Sequence, residues 1–63
     1  MKLKYDKETD ILYIRLNDLK IVESDEKNGV ITDYSEKGEV VAIEVLEASK
    51  NENTPLKVEY EVA

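Results

Sequence analysis

The sequence predicts a single mainly β domain spanning residues 1–63. It reads as one antiparallel meander sheet of five to six short strands, curled on itself or packed face to face in a dimer. At most a short helical turn is expected near residues 47–50. Three observations predict it. Apolar and polar residues alternate in runs of about five, the period of a half-buried strand. Clusters of Asp, Asn, Ser and Gly, which favour turns, separate those runs. No stretch repeats its apolar residues at the three- and four-residue spacing of an amphipathic helix.

Residues 2–6 alternate, with Leu3 and Tyr5 on one side, and Asp6-Lys7-Glu8-Thr9-Asp10 is a polar turn. Residues 11–16 form a strand with Leu12, Ile14 and Leu16 on one side and Ile11, Tyr13 and Arg15 on the other. Asn17-Asp18 is a tight-turn candidate. Residues 20–24 read as a shorter, polar strand holding Ile21 and Val22, and 25–29 as a turn whose Asn28-Gly29 tolerates positive φ. Residues 30–34 are the next strand. Ser35-Glu36-Lys37-Gly38 is a hairpin signal, a type I turn with glycine in the left-handed position. Residues 40–46 are apolar on both faces, as a central strand is. Pro55 ends any helix before it, and 56–62 alternate cleanly through Leu56, Val58, Tyr60 and Val62. The linker 51–54 leaves that last strand free to pair within the chain or with another subunit.

A chain of 63 residues is a marginal domain, since one this size buries only about 60% of its unfolded surface. There is no cysteine to staple it. One sheet side gathers Leu3, Tyr5, Leu12, Ile14, Leu16, Val41, Ile43 and Val45. Short strands spaced as in any sheet give a face of roughly 400 Å², near the upper size of apolar patch that monomers expose. No predicted helix is long enough to cover it. Bending or a second copy must, so a homo-oligomer is expected.

The stretch from Tyr5 to Leu16, Tyr-Asp-Lys-Glu-Thr-Asp-Ile-Leu-Tyr-Ile-Arg-Leu, resembles the opening of a family of small prokaryotic proteins known as domain of unknown function 2283. Gly29-Val30-Ile31-Thr32-Asp33-Tyr34, a turn ending at Gly38, and the run from Val40 to Ser49 continue the resemblance. It spans roughly residues 1–50. It implies a compact, mainly β domain and transfers no catalytic residue. The polar residues within the pattern are Asp6, Asp10, Arg15, Asp33, Glu44 and Ser49. Asp6 and Asp10 suit turn acceptors. Arg15 suits a cross-strand pair with Glu44, or with Asp33.

Composition narrows the function classes. With 15 acidic and 9 basic residues the net charge is −6, and the lysines are scattered. That argues against nucleic acid and against anionic membranes. The polar N-terminal residues show no signal peptide, so a cytoplasmic setting is expected. With no histidine, the commonest general base and zinc ligand is missing. Asp6-x-Glu8-x-Asp10 matches the opening of a calcium loop, but Ile11 takes the glycine place and Asn17 the glutamate place. Asp10, Asp33 and Glu44 are the acids that a hydrolytic pair would draw on. No serine has a histidine partner, and two glycines make no phosphate loop. No catalytic, cofactor or metal residue is assigned. The expectation is a non-catalytic interaction or structural module, with Tyr13, Arg15, Asp33 and Glu44 as interaction residues. A basic protein is a candidate partner, on grounds of charge. The alternative is a small enzyme with a carboxylate site at a dimer cleft.

Overall fold

The computed structural model describes residues 1–50 and Val62. Five strands lie in one antiparallel sheet: β1 (Lys2–Asp6), β2 (Ile11–Arg15), β3 (Glu23–Lys27), β4 (Val30–Tyr34) and β5 (Val40–Val45). The all-strand antiparallel fold predicted from the sequence is the observed one, and no helix occurs among the described residues. The predicted strand at 56–62 and its linker lie outside the described residues, Val62 apart.

The strand order is β1-β2-β5-β4-β3. Three of the four connections join neighbours, and the connection from β2 to β3 reaches the far edge. That step crosses three inter-strand spacings, about 14 Å at the usual 4.8 Å each. Residues 16–22 span it along the strand ends. The Leu16 N–H donates to Val41 O at 2.8 Å and the Val22 N–H to Tyr34 O at 2.9 Å, so both ends of the crossing extend the neighbouring ladders. Asn17 holds the middle. Its Nδ2 donates to Val40 O at 3.2 Å, and its Oδ1 accepts the Leu19 N–H at 3.1 Å.

Each turn follows from its residues. Asn28 (φ 52°) and Gly29 (φ 79°) form a two-residue hairpin turn, with Lys27 and Val30 paired across it. Positive φ at both central positions is what such a turn requires. In the β4–β5 hairpin the Gly38 N–H donates to Ser35 O at 2.9 Å, the Ser35 N–H to Glu39 O at 2.9 Å, and Gly38 has φ 83°. This is the predicted type I turn with a left-handed glycine. The ladder shifts by one residue beside it, between Asp33 and Tyr34. The Asp6 Oδ1 accepts the Glu8 N–H at 2.9 Å in the β1–β2 turn, as an aspartate opening a turn does.

The third strand corrects the sequence reading. It is Glu23–Lys27, all five residues exposed, where a strand at 20–24 and a turn at 25–29 were expected. The short Asn28-Gly29 turn sets the pairing of Glu26 with Ile31 and Asp25 with Thr32. Register, not burial, makes Glu23–Lys27 a strand, and alternating hydrophobicity carries no trace of that.

The core is small. Leu12, Val45 and Ala48 form one buried cluster with Ile43 packed against it, and Val41 and Ala42 are also buried. Ala48 belongs to the turn at 46–50, which folds back onto the β1–β2 turn.

Candidate functional site

Pairing registers sort the side chains of the sheet, because directly paired residues share a side. One side carries the rows Leu3–Ile14–Ile43–Thr32 and Tyr5–Leu12–Val45–Val30. Leu3, Tyr5, Leu12, Ile14, Ile43 and Val45, six of the residues predicted to share the apolar side, are in these rows. The other side carries Lys2–Arg15–Ala42–Asp33–Ser24 and Lys4–Tyr13–Glu44–Ile31–Glu26. The candidate interaction residues Tyr13, Arg15, Asp33 and Glu44 therefore stand together on the polar side. Tyr13 and Glu44 face each other directly. Arg15 and Asp33 have Ala42 between them.

Arg15 does not pair with Glu44 or Asp33, as the sequence suggested. Its Nε donates to Asn17 O at 2.9 Å and its Nη2 to Leu19 O at 3.0 Å, with Nη1 3.4 Å from the Tyr13 hydroxyl. The guanidinium fork matches carbonyls that the crossing would otherwise leave unpaired. Arg15 thus ties the crossing to β2. Asp33 is 7% exposed, and its Oδ1 accepts the Ser24 hydroxyl at 2.6 Å. A buried carboxylate has to be hydrogen-bonded, and that bond joins β4 to the edge strand β3.

Among the described residues, Asp10 is the most connected acid. Its Oδ1 accepts the Tyr5 hydroxyl at 2.6 Å and the Ser49 N–H at 3.0 Å, and its Oδ2 accepts the Ser49 hydroxyl at 2.7 Å. Its carbonyl accepts the Ala48 N–H at 2.9 Å. The Tyr5 hydroxyl, then the Ser49 hydroxyl, hold the Asp10 carboxyl below its ordinary 3.8. The same bond to Asp10 raises the Tyr5 phenol above 10.0. The sequence places Asp10 in its turn but carries no local signal for Ser49 as its partner. The two lie 39 residues apart, and only their joint presence in the family pattern hinted at a link.

Among the described residues, no three acids converge on a common point that could hold a metal ion. An open groove of about 310 Å³ lies on the polar side, lined by Lys4, Asp6, Thr9, Ile11, Tyr13 and Glu44. Asp10 and Asp33 do not line it. On the opposite side Leu3 is 48% and Tyr5 40% exposed, against 3% for Leu12 beside them. No helix of the described residues is long and apolar enough to cross a membrane.

The family described as protein of unknown function (DUF2283) matches residues 2–49. No curated protein matches the chain. No solved structure matches it either. The chain belongs to the DUF2283 family.

Proposed function

We propose that this DUF2283 member is a non-catalytic interaction or structural module that self-associates, covering exposed apolar residues of its sheet. One observation carries the reading. Apolar exposure rises from the buried Leu12 and Val45 to Leu3 and Tyr5 on the same side, where no described element covers them. Exposed contiguous apolar surface marks association sites, and a second copy adds the core that so short a chain lacks. The acids bear on the alternative. Asp10 and Asp33 are tied to Ser49 and Ser24; catalysis would need carboxylates presented to a cleft. Sedimentation of the full chain over a hundredfold concentration range tests the reading. A concentration-dependent dimer is expected. A single monomeric species throughout would end it.

The polar side suits a second partner. Tyr13 faces Glu44, and Asp6 lines the same groove. An aromatic ring beside a carboxylate receives an Arg or Lys side chain, and with Lys4 the only base among the groove's six lining residues against Asp6 and Glu44, a basic protein is the partner of that surface. Capture with the purified chain should enrich basic proteins, and Glu44→Lys should abolish that enrichment. No basic bias among captured proteins would count against it.

A further inference from the structure

We propose that two copies join edge to edge through β1, antiparallel about a two-fold axis at Lys4, making one ten-stranded sheet; this rests on the self-association proposed above. The strand order leaves β1 and β3 as the edges of the described sheet. An edge strand presents backbone N–H and C=O groups to any strand that fits. On β3 the edge is Glu23, Ser24, Asp25, Glu26 and Lys27, every residue exposed. Two such acidic edges repel each other. On β1 it is Lys2, Leu3, Lys4, Tyr5 and Asp6. Leu3 and Tyr5 are exposed, while the apolar residues they pair with on β2, Ile14 and Leu12, are not.

A two-fold axis perpendicular to the sheet can pair only residues of the same side. Centred on Lys4, it overlaps the whole strand. Lys2 meets the partner's Asp6 and Leu3 meets the partner's Tyr5, each twice. The first pairs opposite charges, and the second continues the apolar side across the junction. Lys2 stands directly opposite Arg15 on β2, a like-charge neighbour that an arriving carboxylate relieves. Asp6 commits Oδ1 to the Glu8 N–H, which leaves its second oxygen for the ammonium. Lys4 meets its own copy on the axis, beside the groove that holds Asp6 and Glu44. Its flexible stem lets the charge turn toward those acids.

Charge exchange in the full chain tests this, read by sedimentation and by native mass spectrometry. Residue 4 faces itself only in this arrangement. Lys4→Glu mixed with the unaltered chain should form heterodimers with a Kd roughly threefold to tenfold below that of either homodimer. Asp6→Lys should weaken self-association by a similar factor, and Lys2→Asp added to it should restore the dimer. Lys4→Glu touches no turn bond, so it keeps the test decisive if Asp6→Lys loosens the β1–β2 turn. Dimers that ignore all three changes would overturn edge pairing and leave self-association standing. A chain monomeric at every concentration would remove both.

Discussion

Neither edge strand buries a residue, but β3 exposes almost only charged side chains, whereas β1, at the other edge, alternates charged residues with the exposed apolar Leu3 and Tyr5. Their partners differ as well. β3 is held by the Asn28-Gly29 turn and by the Ser24–Asp33 bond. β1 is held by apolar rows reaching Leu12 and Val45, and by the Tyr5–Asp10 bond. Turn chemistry and charge define one edge, and the packing of apolar rows defines the other. Natural sheets guard their edges with charge; β3 carries three acids and a lysine, whereas β1 sets Lys2, Lys4 and Asp6 around two exposed apolar residues.

The contrast should break most severely at Leu12. Leu12→Ala removes the side chain on which Tyr5 and Ala48 rest, and should destabilise the chain by about 2–5 kcal/mol in urea unfolding. Hydrogen exchange should speed up in β1 more than in β3. Gly29→Val attacks the opposite edge. Its φ of +79° is strained for a β-branched residue, at about 1–3 kcal/mol. Exchange should then quicken in β3 and leave β1 protected. Equal loosening of both edges in either variant would erase the distinction.

Acid should loosen the β1 side without touching the β3 turn. The folded Asp10 pKa lies below 3.8 and the Tyr5 pKa above 10.0. A lowered acid pKa gives stability that is complete above the unfolded value and is lost as pH falls through the folded one. A raised phenol pKa gives stability that is complete below 10.0 and is lost as pH rises through the folded value. The Asp10 bonds therefore work at full strength between about pH 4 and pH 10. Asp10→Asn should lower the melting temperature within that window and flatten its decline at lower pH. An unchanged acid limb would show that other carboxylates set it.

The smallest change in stability should come from Asp25→Thr with Glu26→Val, within about 0.5 kcal/mol for exposed positions. Its effect should appear in association. With Asp25 and Glu26 replaced, only Glu23 and Lys27 stay charged, and with opposite signs, so β3 becomes a second open edge and the chain should form species larger than a dimer by light scattering. No growth would mean that charge is not what keeps β3 apart.

Much of this was legible in the sequence. Ser35 to Gly38 announced their hairpin because turn chemistry is local. Leu3, Tyr5, Leu12, Ile14, Ile43 and Val45 announced their common side because strand period is local too. The place of β3 is not legible because Glu23 to Lys27 bury no side chain. Strand order was unreadable because alternation names a side and never a neighbour. The Arg15 contacts depend on where residues 16–22 run, and the Asp10–Ser49 bonds on a turn far along the chain. Neither has a short-range signature.

The neighbourhood of β2 and β5 sets the order of events as the chain folds. Leu12 pairs with Val45 and Arg15 with Ala42, so the sheet cannot close until most of the described sequence has been made. Three hairpins, β1–β2, β3–β4 and β4–β5, form from nearby residues on a microsecond scale of about 1–10 μs. Pairing of β2 with β5 must wait for a long loop to come together, and non-local pairing of that kind is the slow step of small β proteins. Until it happens, the half-formed chain exposes Leu12 and Ile14 to any neighbour, including another nascent copy.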